Sequence, residues 1–412
     1  MAETTTALGA YAEAEVSAAA TGRTEPAWLV RAREEGARAF AATPMPTPAL
    51  RPWKYTDLSR HGIEEFAPVA DFAPRVTGAA PTGGFAGSLA DALRDASQAS
   101  TVEAALGSVV QGTESKFIAA NAAQWTGGAF VHAPRGGVFE APVTLDVQGP
   151  SADGMHAIFP RVLIVAEANS EVTVIVKNRS ADAPLLAAGV VEILARDNAR
   201  VRVLFDGDWG ANTWEFTTVR SRLERGADVN IASLAIGGHL LKQHIEALIE
   251  GEGANSLIRG IALGDAEQHF DFVTLQDHIG PKTTSDVEIK SALAGASRSV
   301  YYGITRVETT AGGAAANQEN RNLLLSDHAK ADSDPVLEIL TSDVIRCGHG
   351  ATVGPVDQEA LFYLRSRGID YRGALKLLVG GFFASVLDDA AFAELAADMH
   401  DRVERKIVSA EL

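Results

Sequence analysis

From Gly127 onward, apolar and polar residues alternate in short runs rich in β-branched side chains, and the runs recur. Four stretches are built alike: RVLIVAEANSEVTVIV, VVEILARDNARVRVLF, VRSRLERGADVNIASL and HIEALIEGEGANSLIRG. Each reads as a strand, a corner and another strand. The corner residues are Asn169, Asn198, Gly226 and Gly253, spaced 29, 28 and 27 residues apart, and each is followed by Ser or Ala. Asn and Gly enter positive φ most readily. A corner needing that conformation once per coil predicts a solenoid of stacked turns. Two-residue Asn-Gly or Asp-Gly turns do not recur between these strands, so a parallel β-helix fits better than an antiparallel sandwich. Gly295 and Asp327-His328-Ala329 read as later, less regular corners.

The flanks have a different period. Residues 1–20, rich in Ala, Thr and Glu, predict a mobile segment. Pro26 to Ala42 predicts a helix ended by TPMPTPALRP, and residues 84–123 predict helices with a loop around Ser97 to Thr101. The aromatic segment Trp53-Lys54-Tyr55-Thr56-Asp57-Leu58 reads as a pin holding this N-terminal arm to the main body. After Gly354-Pro355 the pattern turns helical again. Asp357 is placed to cap QEALFYLRSR, which Gly368 stops; Asp370 opens YRGALKLLVGGFFASVL, and Asp388-Asp389 opens a third helix. The middle helix is apolar almost all round and calls for cover by its neighbours, by the solenoid or by a partner. Its Gly380-Gly381 pair reads as a point of close packing. The chain thus divides into a largely helical region (1–125), a β-helix core (126–355) and a C-terminal helical domain (356–412).

Candidate chemistry concentrates between Asn317 and Gly354, which holds the only cysteine, a histidine two residues later and six carboxylates. Glycines flank His349, and the expected place for Cys347 and His349 is the mouth of a turn. Their i, i+2 spacing would put both on one side of a strand. Thiolate and imidazole both suit iron or zinc, but one of each completes no common site without ligands from a second chain. His269, His278 and His328 read as solvated residues. Asp327, Asp332, Asp334, Glu338 and Asp343 keep open a carbohydrate-active β-helix enzyme, since such chemistry uses paired carboxylates on a flat face. They serve equally as corner caps and solvated edges. A purely structural solenoid, with Cys347 and His349 as core residues, is a third reading.

Composition narrows these classes. With 36 basic and 53 acidic residues the net charge is −17, which argues against nucleic acid as a partner. One cysteine allows no intramolecular disulfide, fits a reducing cytoplasmic location, and cannot supply the four thiolates of an iron–sulfur site. No apolar run reaches the roughly 20 residues of a membrane span, the N-terminus lacks a secretory pattern, and no Walker-type phosphate loop occurs. A solenoid ends in an open strand edge, so pairing with another chain or a second copy is expected on structural grounds.

The run RNLLLSDHAKADSDPVLEI, then CGHGATVG and EALFYLRSRGI, with WKYTDL and FIAANAA further upstream, resembles the SufB/SufD family of the SUF iron–sulfur cluster assembly scaffold. The single cysteine and HGATVG are similar to the SufD branch; SufB has Glu at the place of Gly350 and several cysteines. The resemblance implies a mainly β protein: a right-handed parallel β-helix with an N-terminal helical region and a C-terminal helical domain. It implies a non-catalytic scaffold subunit that pairs with a SufB-like subunit through the β-helix edge and docks a SufC-like ABC ATPase on its C-terminal helices. There Leu361, Phe362, Tyr363, Arg365 and Arg367 form the expected interface. A nascent cluster would be built between the subunits, with His349 as ligand and Cys347 as a second candidate. The family usually reads Cys-Ser-His where this chain has Cys347-Gly348-His349, which leaves the histidine in place. FAD accompanies some SUF complexes, and no segment here marks a flavin site.

Overall fold

The computed structural model describes residues 9–58, 62–151, 153–387, 401–403 and 405–407. Five α-helices are described in the N-terminal region: α1 (Glu13–Gly22), α2 (Ala27–Ala42), α3 (Leu89–Arg94), α4 (Ala99–Ala105) and α5 (Lys116–Gln124). Between α2 and α3 run the short strands β1 (Ala67–Pro68), β2 (Arg75–Thr77) and β3 (Phe85–Gly87). The solenoid begins with β4 (Ala129–Ala133), β5 (Val143–Gln148) and β6 (His156–Ile158). It continues through β7 (Arg161–Ala166), β8 (Glu171–Arg179), β9 (Leu185–Ala195), β10 (Arg200–Asp208), β11 (Thr213–Leu223), β12 (Asp228–Ala235) and β13 (Leu240–Ile249). The later coils use β14 (Asn255–Gly264), β15 (His269–His278), β16 (Thr284–Leu293), β17 (Arg298–Val307), β18 (Ala314–Leu324), β19 (Lys330–Ile339) and β20 (Val344–Pro355). Helices α6 (Gln358–Ser366) and α7 (Tyr371–Leu387) follow.

Successive strands alternate between two sheets. One is ordered β3-β4-β7-β9-β11-β13-β15-β17-β19 and the other β2-β5-β8-β10-β12-β14-β16-β18-β20. The coil strands pair in parallel; β2 and β3 add antiparallel at the N-terminal end. This is the parallel β-helix expected from the repeat. Its strands stack in step, so that one inward column reads Val174, Val203, Ile231, Ile258, Val287, Gln318 and finally His349. Each aliphatic member of that column is fully buried, a contribution of about 1.5–3 kcal/mol per side chain.

The corners that lead from the first sheet into the second carry the positive φ that the repeat calls for: 60° at Asn169, 56° at Asn198, 65° at Gly226 and 70° at Gly253. The ladder then continues through Lys282 (55°) and Gly313 (74°). Gly295 and Asp327–Ala329 belong instead to the opposite edge, between β16 and β17 and between β18 and β19. The corner amides hold the coils together. Asn169 N–H donates to Asp197 O, Asn198 to Arg225, Gly226 to Glu252, Gly253 to Pro281, Lys282 to Gly312 and Gly313 to Asp343, at 2.8–3.1 Å. Each corner thus bonds to the carbonyl just before the corresponding corner of the next coil, so the backbone ladder does not break where the chain bends.

The N-terminal region covers the outer face of the first sheet. β9 is buried along its whole length because α5 lies against it, and alternation disappears there. Glu192 on this covered face accepts the backbone N–H groups of Gly107, Val109 and Val110 and an ion pair from Arg161. Trp53 stacks on Phe117 at 5.7 Å, with the Lys242 ammonium 4.6 Å from its ring, so the aromatic segment does pin the arm to the solenoid. Residues 13–22, within the stretch expected to be mobile, form a helix instead. Tyr11, Val16 and Ala20 are buried, and Arg38 pairs with Glu13. Small alanines packed against neighbouring helices suffice there without a strong apolar stripe. α4 begins at Ala99, inside the expected loop.

At the other end, Asp357 accepts from the amides of Glu359 and Ala360 and caps α6, and Gly368 ends it with φ 89°. Asp370 accepts from Gly373 N–H at the start of α7. The apolar α7 is covered by the flank of the solenoid: Val379, Phe383, Val386 and Leu387 pack with Leu204, Leu234, Ile261 and Leu263 on the outer face of the second sheet. Close packing among the described residues does not account for Gly380 and Gly381, since a Cβ at either would meet none of them within 4 Å. The expected third helix, from Asp388, lies largely outside the described residues.

Candidate functional site: the last strand of the solenoid

Cys347 and His349 do not sit at a turn. They lie within β20, the terminal strand of the second sheet, which is bonded on one side only, to β18. Their pairing partners are Ala316 and Gln318, both buried inward-facing residues, so Cys347 and His349 continue the inward row. Among the described residues no coil follows, and His349 is exposed while facing what would be the core.

A bulge decides which residues hold this row. Val344 pairs with Ala314 and Arg346 with Ala315, which leaves Ile345 as an extra residue, 76% exposed. Side chains alternate along a strand, so one extra residue exchanges the two faces. Were Ile345 paired with Ala315 in an unbulged strand, Arg346, Gly348 and Gly350 would face inward, and Cys347 and His349 outward.

Cys347 is half-buried and packs near Val344 against Val307, Ala311 and Ala314. Burial pushes its thiol up, so it is protonated at neutral pH and becomes a ligand only when a cation stabilises the thiolate. Beneath β20 lies a polar layer. Gln318 Oε1 accepts from Tyr301 Oη at 3.0 Å, and its Nε2 donates to Val336 O at 2.9 Å. Asn320 Oδ1 accepts from Ser333 and from Asn322 Nδ2, while Asn320 Nδ2 donates to Ile289 O at 3.1 Å. Sequence reading passed over Gln318, Asn320 and Asn322; three polar residues at every second position of a buried strand were the available signal.

The other expected ligands lie apart from this row. His278 is fully buried between the hydroxyls of Thr283 and Ser285, 2.8 Å from each, and burial lowers its pKa to about 4. His269 meets Thr56 Oγ1 at 3.1 Å, and burial together with Arg298 lowers its pKa to about 3. Neither is the solvated histidine expected; His328 is exposed at its corner. No group of three or more His, Cys, Asp or Glu residues disposed to hold a metal occurs among the described residues. The carboxylates of β19 are engaged: Asp332 with Arg298 at 2.5 Å, Asp334 with Arg51 at 2.8 Å and Glu338 with Arg306 at 2.8 Å. A glycosidase needs one such group free to hold or release a proton, so this face does not favour that reading.

On α6, Phe362 is 73% and Tyr363 56% exposed, and Arg365 and Arg367 are exposed beside them. Leu361 departs from expectation. It is buried with Val356, Ala374 and Leu375, where it holds α6 to α7.

A parallel β-helix whose final strand carries a thiol and an imidazole on an unfinished inner row is a scaffold that a second chain can complete. The core-domain model of SUF-system FeS cluster assembly, SufBD, matches residues 148–382, more than half of the chain. An iron–sulfur cluster assembly SufBD family protein of Mycobacterium tuberculosis is 31% identical over 273 residues, 65% of this chain and 68% of the relative. SufB of Bacillus subtilis is 31% identical over 279 residues, 66% of this chain and 59% of that protein. A SufBD family protein of Staphylococcus epidermidis is 30% identical over 280 residues. The chain belongs to the SufB/SufD family of iron–sulfur cluster assembly proteins. No helix among the described residues is long and apolar enough to cross a membrane.

Proposed function

We propose that this chain is the SufD-type, non-catalytic scaffold subunit of a cytoplasmic iron–sulfur assembly complex. It pairs through the open end of its β-helix with a SufB-like subunit, and the nascent cluster, as cargo, forms between them. The observation that carries this reading is the placement of His349 and Cys347 on the inner row of an edge strand that, among the described residues, pairs on one side only. His349, exposed, is the ligand; Cys347, a partly buried neutral thiol, is the secondary candidate. The single cysteine favours the SufD over the SufB branch.

A SufC-like ABC ATPase docks on α6. Phe362, Tyr363, Arg365 and Arg367 form an exposed aromatic and arginine patch of the composition found at binding hot spots. ATP-driven closure of two ATPase copies would then pull on both scaffold subunits and bias their shared interface.

Two experiments test these assignments. The chain is co-expressed with a SufB-like subunit and the ATPase, loaded with iron and sulfide, and read by visible absorption. His349→Ala is expected to abolish most of the cluster signal with the complex intact, and Cys347→Ala to lower it less. A normal signal from His349→Ala overturns the ligand assignment. For docking, Phe362→Asp with Tyr363→Asp is expected to release the ATPase; undiminished co-purification moves the docking site elsewhere. Deletion of residues 356–412 is unsuitable, because it would strip α7 from Leu204, Leu234, Ile261 and Leu263 and expose the solenoid flank.

A further inference from the structure

We propose that Gln318 is a positioning residue for His349, held by Tyr301 in a slot that Gly303 leaves open. The geometric part stands on this chain alone; its consequence for the cluster rests on the reading of His349 as ligand.

The inward column that ends in His349 is aliphatic for five coils, through Val174, Val203, Ile231, Ile258 and Val287. Only the member directly below His349 is polar. Parallel strands stack about 4.8 Å apart, so a valine or leucine at 318 would continue the column and meet the imidazole with hydrocarbon. Gln318 is instead 1% exposed, an expensive place for a primary amide unless it is bonded.

It is bonded in a way that fixes its direction. The Tyr301 hydroxyl reaches from β17 across the interior to Oε1, Val336 O on β19 takes one hydrogen of Nε2, and Thr274 Oγ1 lies 3.1 Å from the same Tyr301 hydroxyl. The space for this bracket is reserved by a missing side chain. A Cβ on Gly303 would stand 2.2 Å from Tyr301 Oη and 2.3 Å from Gln318 Oε1. Two functions of the amide remain unused, the second lone pair of Oε1 and the second hydrogen of Nε2. They belong to the residue directly below His349 in its own column. An amide locked in place can select one tautomer and ring orientation of a neighbouring imidazole, and outer partners of this kind tune a ligand's affinity for metal. Without the bracket, an exposed histidine on a singly bonded strand would turn freely.

The test uses the full chain and the variants Gln318→Met and Tyr301→Phe. The His349 ring signals are identified by ¹⁵N–¹³C correlation NMR against His349→Gln. In Gln318→Met the tautomer balance of His349 and the ring ¹⁵N shifts that report it are expected to change. Tyr301→Phe is expected to move both in the same direction by less. In the complex with the SufB-like partner, Gln318→Met should then lower iron occupancy about tenfold at unchanged complex assembly. Should Gln318→Met fail to fold, Tyr301→Phe, which removes a single oxygen from a ring that stays in place, carries the test alone. An unchanged His349 spectrum in the folded variants overturns the proposal, even if His349→Ala abolishes the cluster. A changed spectrum together with full cluster signal in His349→Ala keeps the positioning and overturns the ligand reading.

Discussion

Arg51 and Asp334, 283 positions apart, meet in a two-pronged ion pair of 2.8–3.1 Å. Arg51 also lies 5.7 Å from the Tyr302 ring, and Arg298, which holds Asp332, lies 5.4 Å from the ring of Tyr55. The N-terminal arm therefore grips the last strand of the first sheet, in the coil that carries the candidate site. The pair is partly solvated, so Arg51→Ala should cost less than about 1 kcal/mol of global stability. Its effect should be local: faster amide hydrogen exchange in β19, with β13 unchanged. Unchanged exchange in β19 would show that the grip does not reach the terminal coil.

Deletion of Ile345 removes the bulge and leaves Val344 and Arg346 consecutive, as their partners Ala314 and Ala315 are. Cys347 and His349 should therefore keep their inward places opposite Ala316 and Gln318. Thiol labelling of Cys347, slow in the parent because the group is half-buried and protonated, should stay slow in the deletion variant. Markedly faster labelling would mean that the strand has slipped by one residue and turned its faces over.

Gly303→Ala places a methyl group on the Tyr301–Gln318 hydrogen bond and should destabilise the chain by about 1–3 kcal/mol. Combined with Tyr301→Phe, which frees one of the two clashing oxygens, the loss should be less than the sum of the single effects. Urea denaturation of the four proteins in this cycle measures the coupling, and additive losses would place the strain elsewhere.

Acid sensitivity follows from the buried histidines. The folded-state pKa of His278 is depressed, from 6.5 to about 4, by burial. Its neutral form contributes stability that is full above about pH 6.5 and is lost as pH falls toward 4, because the unfolded chain binds the proton first. His244 and His269, both lowered to about 3, act in the same direction. His278→Gln should flatten the decline of the thermal midpoint between pH 6.5 and 4. An identical slope in the variant would assign the acid response to other groups.

Lys282 occupies a corner at φ 55° where its neighbours along the ladder use Asn or Gly. Left-handed backbone costs a residue with a side chain roughly 1–2 kcal/mol, while glycine costs the unfolded chain about 0.5–1 kcal/mol in entropy. Lys282→Gly should therefore stabilise the protein slightly, with the exposed Lys282–Glu252 pair at 2.6 Å a minor loss. A lower midpoint in urea would contradict this balance.

The legible part of this chain was the part governed by backbone conformation. Asn169, Asn198, Gly226 and Gly253 announce their corners because few other residues accept positive φ cheaply. Lys282 stayed silent, since its corner is held by the amide bond to Gly312 rather than by its own preference. The caps at Asp357 and Asp370 were readable for the same local reason. The site was only half readable. Spacing put Cys347 and His349 on one face, but no local signal distinguishes a terminal strand from a turn, or reveals a one-residue bulge at Ile345. Leu361 and Phe362 are adjacent apolar residues on one helix; which of them is buried depends on α7, a tertiary fact. The helix at 13–22 has so weak an apolar stripe that only its packing partners account for it.

The corner amides that bond each coil to the next make the coil the unit in which this protein can change length. Gain of a single residue in a strand turns every following side chain in that strand to the wrong face, unless a bulge absorbs it as at Ile345. Loss of a whole coil of 27–31 residues removes one inward layer and lets the corner carbonyls find the next amide in register. Variation in length within such an architecture is therefore quantised, and the polar layer under His349 can be carried nearer to or farther from the N-terminal arm only in steps of one strand spacing.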